Sequence, residues 1–377
     1  MQRIEPTSNG RTRIVVKIGT NLLTDRLTGL NLDRINAIAR GVSHMQSAGH
    51  HVALVSSGAI GAGVAARRLK ERPASIPEKQ ATAAVGQPIL MEAYIAAFRR
   101  HARSVGQILL TNDDFLNRRR YTNARNTLSV LFENDIVPII NENDTVAVEE
   151  IKLGDNDNLS SLVANLIAAE LLVILSDIDG LYTDDPSLNR QAELIPVVGT
   201  ITPGIERLAK TSGGDLGTGG MVTKIQAAKR CASAGIATII ANGSNPRVLQ
   251  EILSGDFRGT LFVPAATRLS GRKKWIGFVS HPRGSVRIDE GATAALTVHR
   301  KSLLPSGILE VTGEFAEKDT ISVLDFAGRE IARGLSGYSS AELARIRGRR
   351  TGDVEKILGR RAHGEVIHKD NLVLLDE

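Results

Sequence analysis

The stretch Gly213-Gly-Asp-Leu-Gly-Thr-Gly-Gly-Met-Val-Thr-Lys224 places five glycines directly before a helical pattern. A glycine loop that opens a helix presents unpaired backbone N–H groups and the positive end of the helix dipole, and both favour a bound anion. Lys224 lies in the first predicted turn, where a cation is unfavourable unless an anion neutralises it. We interpret the stretch as a phosphate-binding loop; a mobile linker with a solvated lysine is the alternative. Residues at helical spacing follow, and then a glycine that would provide a left-handed C-cap: Val222, Ile225, Ala228, Ala232 and Gly235.

Strand and helix patterns alternate around this loop, which predicts a three-layer α/β/α sandwich with a mainly parallel sheet. The predicted strands are short apolar runs followed by turn residues. They cover residues 13–18, 51–55, 105–111, 136–140, 171–175 and 237–241, with 259–263 at a sheet edge, and helices are predicted over 32–48 and 123–134.

Lys17 interrupts the first apolar run near its carboxyl end. Open α/β sheets bind ligands at that edge, and burial of an ammonium group without an anion is costly. An edge strand with Lys17 in solvent is the alternative, but the apolar neighbours of Lys17 weaken it. We therefore expect Lys17 to face an anionic ligand.

The segment Ser56-Ser-Gly-Ala-Ile-Gly-Ala-Gly63 follows the second predicted strand. Its glycine spacing, Gly-x-x-Gly-x-Gly, differs from the Gly-x-Gly-x-x-Gly of dinucleotide-binding sites. We interpret it as a βα loop whose hydroxyl and amide groups hold a small anionic substrate.

Two polar clusters, Asn141–Asp144 and Asp155–Asn158, flank predicted sheet elements. The second is not a calcium loop, because Ser160 stands where such a loop needs glycine and no glutamate occupies its twelfth position. Structural turns are the alternative for both clusters. We favour a polar site that fixes the ammonium and carboxylate groups of an amino acid. A further polar run, 176–186, follows the fifth strand at the same predicted edge.

Composition sets broad limits. The 377 residues favour two or three domains. No apolar run is long enough to span a membrane and the start lacks an apolar signal core, so we expect a soluble cytoplasmic protein. Cys231 is the only cysteine, which excludes an internal disulfide and a cysteine-rich metal site.

The net charge of +6 would suit nucleic acid, but the basic excess is concentrated in the C-terminal part and aromatic residues make up only 3% of the chain. Such a cluster is more often a solvated surface. The crowded arginines are Arg345, Arg347, Arg349, Arg350, Arg360 and Arg361.

The pattern changes after Pro264. Residues 265–274 are predicted to form a linker, and a small β-rich barrel is predicted beyond Trp275. The sequence Ser339-Ser-Ala-Glu342 is a capping box for one short helix, and Ala327-Gly328 is a hairpin turn. The predicted short strands are 285–289, 294–299, 307–312, 320–325 and 330–335.

The chain closely resembles the bacterial glutamate 5-kinase family over nearly its whole length. The resemblance implies an amino-acid-kinase fold for residues 1–265 and a PUA domain for residues 275–377. The motifs are specific as a set in this order, although each alone would not be. They are Lys17-Ile-Gly-Thr, Ser56-Ser-Gly-Ala-Ile, Asn141-Glu-Asn-Asp, Gly154-Asp-Asn-Asp-Asn-Leu-Ser and Gly217-Thr-Gly-Gly-Met-Val-Thr-Lys224.

The resemblance implies transfer of the γ-phosphoryl group of ATP to the side-chain carboxylate of L-glutamate, with Mg2+, as the first step of proline biosynthesis. It also implies feedback inhibition by proline, a homo-oligomer and a glutamyl-phosphate reductase that receives the product. For the PUA-like part we favour a regulatory or assembly role over RNA binding, which stays open.

The resemblance assigns residue roles by matching positions. Lys17 and Lys224 hold the transferring phosphoryl group, and Asp157 orients them. L-Glutamate is bound by Ser57, Asp144 and Asn156. The nucleotide is bound by Lys17, Ser176, Asp177, Thr218, Gly219, Gly220, Met221, Val222, Thr223 and Lys224. Relatives often carry threonine at position 176, and serine keeps the hydroxyl group.

The chemistry needs no dedicated base, because a glutamate side chain with a pKa of about 4.3 is already ionised at neutral pH. No Gly-x-x-x-x-Gly-Lys-[Ser/Thr] motif is present, so the phosphate site is of another design. Two rival functions are open. One is an N-acetylglutamate or aspartate kinase, and the other is an RNA-binding or RNA-modifying protein.

Overall fold

A computed structural model describes residues 12–24, 29–147, 156–211, 220–264, 282–360 and 364–375. The chain divides into two compact units, 1–268 and 269–377. The predicted linker, 265–274, and hence the predicted domain boundary lie outside the described residues, so the boundary stays a prediction.

The first unit contains an eight-stranded sheet with the order β3-β4-β2-β1-β5-β7-β8-β6. Among its described strands every pairing is parallel except that of β7 with β8, which confirms the predicted mainly parallel sheet. The strands are β1 (Arg13–Ile18), β2 (His51–Ser56), β3 (Val105–Leu110), β4 (Val137–Glu142), β5 (Leu171–Ser176), β6 (Val197–Val198), β7 (Ala237–Asn242) and β8 (Gly259–Phe262).

Helices cover both faces of this sheet. Val15 and Val16 are both fully buried although consecutive strand residues point to opposite faces. On one face, β1 and β2 pack with α2, α4 and α10 in a single apolar core. The helices of the unit are α1 (Thr20–Leu23), α2 (Leu32–Ser47), α3 (Ala59–Ala66), α4 (Ile76–Arg99), α5 (Asn112–Leu116), α6 (Arg118–Glu133), α7 (Asn156–Leu166), α8 (Pro203–Thr211), α9 (Met221–Ser233) and α10 (Val248–Ser254).

The helix predicted after the glycine loop is confirmed as α9, and Gly235 follows it with a φ of 72°. The helix predicted over 123–134 starts earlier, at Arg118, because Asn117 caps it by accepting hydrogen bonds from the N–H groups of Arg119 and Arg120. The prediction that 259–263 forms the sheet edge is wrong, because the two-residue strand β6 pairs outside β8.

The interpretation of 56–63 as a loop is also wrong in part. The loop ends at Gly58, whose φ of 103° suits only glycine, and α3 begins at Ala59. A Cβ atom on Gly63 would lie 1.9 Å from the carbonyl oxygen of Thr82 in α4. A Cβ atom on Gly86 of α4 would lie 1.8 Å from the carbonyl oxygen of Ala59. These two glycines therefore serve the close packing of α3 against α4.

The second unit contains a five-stranded sheet with the order β10-β9-β11-β12-β13, which confirms a small β-rich domain. Its core includes Val286, Ile321 and Tyr338. The strands are β9 (Gly284–Ile288), β10 (Ile308–Gly313), β11 (Thr320–Leu324), β12 (Glu330–Leu335) and β13 (Leu372–Leu374), and the helices are α11 (Glu290–Thr297), α12 (Ser340–Ile346) and α13 (Val354–Leu358), with 3-10 turns at Pro305–Gly307, Thr351–Asp353 and Lys369–Asn371.

One strand predicted in this unit, 294–299, is wrong, because most of it lies in α11. Asp289 caps that helix by accepting a hydrogen bond of 2.6 Å from the N–H group of Ala292, and this local start overrides the strand-like pattern. The predicted capping box is confirmed: the N–H group of Ser339 donates to the carboxylate of Glu342 at 3.0 Å, and the N–H group of Glu342 donates to the hydroxyl of Ser339. Gly328 turns between β11 and β12 with a φ of 84°.

Across the described ranges, no helix combines the length and the apolar character that crossing a bilayer would require.

The α3–α4 contact generates a stability prediction. Alanine normally stabilises a helix interior relative to glycine by about 0.5–1 kcal/mol. We expect Gly86→Ala to have the opposite sign and to lower the free energy of unfolding by about 1–3 kcal/mol or more, because the new methyl group overlaps the backbone of Ala59. Urea denaturation followed by circular dichroism measures the change.

Gly199→Ala is the matched control, since nothing lies within 4 Å of a Cβ atom at that position. It should change the free energy of unfolding by less than about 0.5 kcal/mol. Equal stability of the two variants would contradict the packing argument.

Candidate active site

The candidate site lies where the carboxyl ends of parallel strands meet. Strands β4, β2, β1, β5 and β7 are consecutive neighbours in the sheet, so the polar residues that end them share one edge, the usual ligand edge of such sheets. Lys17 is the penultimate residue of β1, Asn141 lies near the end of β4, and Ser176 ends β5. Asn156 and Asp157 begin α7, and Lys224 lies in the first turn of α9.

One carboxylate joins both predicted lysines. The Nζ atom of Lys17 lies 2.5 Å from Oδ1 of Asp157, and the Nζ atom of Lys224 lies 3.2 Å from Oδ2 of the same carboxylate. The side chains of Lys17, Lys224 and Asp157 are 3%, 5% and 0% exposed. The structure therefore brings β1, α7 and α9 together at three charged groups that are almost fully removed from water.

Two ammonium groups meet at one buried carboxylate in this cluster, and the charge of Lys224 also acts on Asp177. The N-cap of α9 is Gly220, which has no side chain to cap the first turn, and the positive end of the helix dipole lies beside Lys224. Lysine side chains beside the N-terminus of a helix form a favourable position for a phosphate group.

Thr223 anchors the start of α9 to the cluster. Its hydroxyl oxygen lies 2.8 Å from Oδ2 of Asp157 and 2.8 Å from the carbonyl oxygen of Gly220. The sequence predicted Thr223 as a nucleotide ligand but did not predict its contact with Asp157. Predicted residues Thr218 and Gly219 lie outside the described residues, whereas Gly220, Met221 and Val222 form the N-cap and first turn of α9.

Asn156 holds two neighbouring strands together. Its Nδ2 atom shares its two hydrogens among three acceptors, the carbonyl oxygen of Ser56 at 2.9 Å, Oγ of Ser57 at 2.8 Å and Oδ1 of Asn141 at 3.1 Å. Because a backbone carbonyl can only accept, these contacts fix which end of the Asn156 amide points inward. In the described part of the chain, Nδ2 is thus fully used and Oδ1 remains as an acceptor for a ligand.

Asp144 follows β4 in the predicted polar cluster and is partly buried. Burial raises the pKa of Asp144 to about 6. Loss of water around a carboxylate disfavours its charged form, and a nearby cation would restore it. A carboxylate of this kind suits a positively charged ligand group.

Ser176 and Asp177 lie on the other side of Lys17, at the end of β5. The amide of Asn21 in α1 donates to Oδ2 of Asp177 at 3.0 Å, and the hydroxyl of Ser176 donates to Oδ1 at 3.0 Å. Burial acts to raise the pKa of Asp177, but these two hydrogen bonds and the charge of Lys224 outweigh it and hold the pKa below its ordinary value. Asp177 therefore stays ionised within the field of the lysine cluster.

Sequence reasoning missed several members of this site. Asn21 directly follows the Lys17-Ile-Gly-Thr motif and Asn141 belongs to the first polar cluster, but neither residue was given a role of its own. Two residues of α4, Gln87 and Tyr94, contact the site through Asn141 and Ser56, and no sequence signal marked them because a helical pattern does not reveal which polar residue points inward. Within the described ranges, no cluster of three acidic, histidine or cysteine side chains could hold a metal ion.

Comparison with known proteins agrees with this architecture. The model of the amino acid kinase family matches residues 12–242, and that of the PUA domain matches residues 284–358. A protein of Geobacter sp. (strain M21) named glutamate 5-kinase is 50% identical over 363 residues, which are 96% of this chain and 97% of the relative. A protein of the same name from Caldanaerobacter subterraneus subsp. tengcongensis is 48% identical over 364 residues, 97% of this chain and 98% of the relative.

The chain therefore belongs to the amino acid kinase family, and within it to the glutamate 5-kinases.

The contacts of Asp157 with Lys17 and Lys224 predict how Asp157→Asn changes the free energy of unfolding and its response to sulfate. Asp157→Asn leaves two buried ammonium groups without their carboxylate, so we expect the free energy of unfolding to fall by about 3–5 kcal/mol. Added sulfate should recover more stability in this variant than in the wild type, because an anion that binds only the folded state stabilises it. Thermal unfolding with and without sulfate measures both effects.

Glu206→Gln is the control. Glu206 forms an ion pair with Lys229, and the side chains of Glu206 and Lys229 are 41% and 57% exposed. Exposed ion pairs contribute about 1 kcal/mol or less to stability. If Asp157→Asn proved as mild as this control, the carboxylate of Asp157 would not be the group that stabilises the two buried lysines.

Proposed function

We propose that this chain transfers the γ-phosphoryl group of ATP to the side-chain carboxylate of L-glutamate, which yields L-glutamyl 5-phosphate and ADP, in the first step of proline biosynthesis. The observation that carries the proposal is the pair of buried lysines that meet at Asp157. Relatives that are 48–50% identical over nearly the whole chain carry the corresponding name.

The reaction forms one bond and breaks one. A γ-carboxylate oxygen of glutamate attacks the γ-phosphorus of ATP, and the bond between that phosphorus and the oxygen bridging to the β-phosphate breaks, so ADP leaves. The nucleophile has a pKa of about 4.3 in its free form and carries no proton at neutral pH. Catalysis thus consists of positioning two anions and stabilising the charge that spreads over the phosphoryl oxygens.

In this proposal Lys17 and Lys224 contact the transferring phosphoryl group from two elements, and Asp157 orients both ammonium groups. Their positions are held by burial, so they do not need to reorganise as charge develops. The backbone N–H groups at the start of α9, which follow the N-cap Gly220, contribute donors to the same phosphate.

Mg2+ enters the proposal as a companion of the nucleotide. The ion commonly keeps several waters and is held largely by substrate phosphates with one or two carboxylates. Bound there, it would neutralise phosphate charge. Ser176 and Asp177, together with Gly220 and the first turn of α9, border the proposed nucleotide position, and we propose that Thr218 and Gly219 also bind the nucleotide.

For glutamate, we propose that the α-ammonium group binds between Asn156 and Asp144. Asn156 offers the acceptor Oδ1, and Asp144 offers a carboxylate that gains from a cation. Ser57 accepts from Asn156 through Oγ at 2.8 Å, so its own hydroxyl hydrogen is available to a substrate carboxylate. The three residues thus supply complementary groups to the two charges at the α-carbon.

Regulation and assembly remain proposals that come from the family resemblance. They are feedback inhibition by proline, a homo-oligomer, transfer of the labile product to a glutamyl-phosphate reductase, and a regulatory or assembly role for residues 275–377.

A hydroxylamine-trapping assay tests the function. With ATP and Mg2+, glutamate should yield a hydroxamate, whereas N-acetylglutamate and aspartate should yield far less. The same assay with proline tests inhibition. Absence of hydroxamate from glutamate, with turnover of one of the other acids, would replace the proposed substrate.

We predict that Lys224→Ala lowers kcat by about 10²–10³ and changes the KM for glutamate little, because the lost contact is made to the phosphoryl group in the transition state. The variant should fold, since Lys17 still neutralises Asp157. Steady-state kinetics with glutamate as the varied substrate separate the two parameters.

Lys229→Ala is the matched control on the same helix, because Lys229 is exposed and pairs with Glu206 away from the cluster. It should retain wild-type kcat. A Lys224→Ala variant with altered glutamate KM and normal kcat would overturn the assigned role.

We also predict a pH dependence that originates from Asp144. Its pKa of about 6 means that the carboxylate is ionised above pH 6 and protonated below it. The KM for glutamate should therefore rise as the pH falls from 7.5 to 5, while the substrate's own side-chain carboxylate, with a pKa of about 4.3, stays largely ionised.

In Asp144→Asn the KM should be high and nearly independent of pH over this range. Asp33→Asn, which changes an exposed carboxylate at the start of α2, should keep the wild-type profile. A wild-type KM that does not vary between pH 5 and 7.5 would remove Asp144 from the ammonium position.

A further inference from the structure

We infer that Gln87 and Tyr94 of α4 are positioning residues that fix the orientation of the Asn156 amide, and thereby the selection of substrates that carry an α-ammonium group. The inference rests on the proposed function. Neither residue belongs to a sequence motif, and both act through residues of neighbouring strands.

Tyr94 supports the Asn156 amide through Ser56. Tyr94 is fully buried, and its hydroxyl lies 2.8 Å from Oγ of Ser56. Oγ of Ser56 itself donates to the carbonyl oxygen of Ser57, so the tyrosine hydroxyl is the donor and the serine oxygen the acceptor. The carbonyl oxygen of Ser56 receives one of the hydrogen bonds from Asn156. The tyrosine thus holds the strand end on which the amide rests.

Gln87 supports the same amide through Asn141. Oδ1 of Asn141 accepts hydrogen bonds from the N–H group of Glu142 at 2.9 Å and from Nδ2 of Asn156 at 3.1 Å. This leaves Nδ2 of Asn141 as a donor, and Oε1 of Gln87 accepts from it at 2.8 Å. Together with the N–H group of Glu142, Gln87 therefore keeps Oδ1 of Asn141 directed at the Asn156 donor, and loss of Gln87 weakens this orientation.

The two residues lie seven positions apart, which is close to two helical turns, so they share one face of α4. Gln80, seven positions earlier, donates from Nε2 to the carbonyl oxygen of Ala147 at 3.1 Å, just after the polar cluster that contains Asp144. A stripe of polar residues on one helix therefore reaches three backbone segments of the proposed glutamate site. The close approach of Gly86 to Ala59 brings this helix near enough for the contacts.

The same hydrogen bonds would also be expected if Gln87 and Tyr94 served only to satisfy buried polar groups. A positioning role and a purely structural role predict different effects when the side chains are removed. Structural loss lowers stability or activity with all substrates alike. Loss of amide orientation allows Nδ2 of Asn156 to face the ligand in place of Oδ1, and a donor there repels an ammonium group but not a substrate that lacks one.

The test compares L-glutamate with glutarate, which has both carboxylates but no α-ammonium group. The variants are Tyr94→Phe, which removes one hydroxyl, and Gln87→Leu, which removes the amide. In hydroxamate assays, each should lower the ratio of kcat/KM for glutamate to kcat/KM for glutarate by about five- to tenfold. The change should lie in the KM for glutamate, with kcat and the KM for ATP within about twofold of wild type. Where glutarate turnover is too slow to measure, its inhibition constant replaces it.

The double variant should lower the ratio by less than the product of the single effects, because both residues act through one amide. Tyr121→Phe is the control: Tyr121 is also a buried tyrosine, on α6, and this variant should keep the wild-type ratio.

If the two folded single variants keep the wild-type ratio, or lose activity with both acids in proportion, the inference is wrong. If Tyr94→Phe does not fold, Gln87→Leu decides alone, since Gln87 is only partly buried. A wild-type protein that phosphorylates no glutamate would instead refute the proposed function.

Discussion

The buried carboxylate of Asp157 is the constraint on which the site depends. It lies within 2.5 Å and 3.2 Å of two lysine nitrogens that are 207 residues apart in the chain. Such a cluster can form only if β1 delivers Lys17, the start of α7 delivers Asp157 and the first turn of α9 delivers Lys224 to one point. The central position of β1 in the parallel sheet, with α7 packed against β1 and α9, satisfies this condition.

A second layer of structure supports the proposed glutamate side. There, α4 packs so closely on α3 that a single methyl group at Gly86 would overlap backbone atoms. The same helix anchors Ser56 and Asn141, which in turn hold Asn156. Helix α4 thus provides both the packing and the polar contacts. It orients the Asn156 amide through Ser56 and Asn141 and does not itself need to contact a ligand.

The candidate site residues all lie in the first unit, whereas the C-terminal unit has its own apolar core. The arginines of that unit are partly used within it. Arg345 donates to the carbonyl oxygen of Ile357, and Arg360 pairs with Glu342 and lies over the ring of Tyr338. These contacts agree with the interpretation of the basic excess as a surface feature.

The sequence alone predicted the alternation of strands and helices in the first unit, the mainly parallel sheet and the identity of the charged residues, because apolar periodicity and glycine or polar residues at strand ends are local signals. It did not determine that Gly63 and Gly86 serve helix packing, that 294–299 is mostly helical, or that Gln87 and Tyr94 reach the site. The convergence of Lys17 and Lys224 on Asp157 was likewise decided by the tertiary structure. These features depend on distances between residues far apart in the chain, and such distances are fixed only when the helices pack on the sheet.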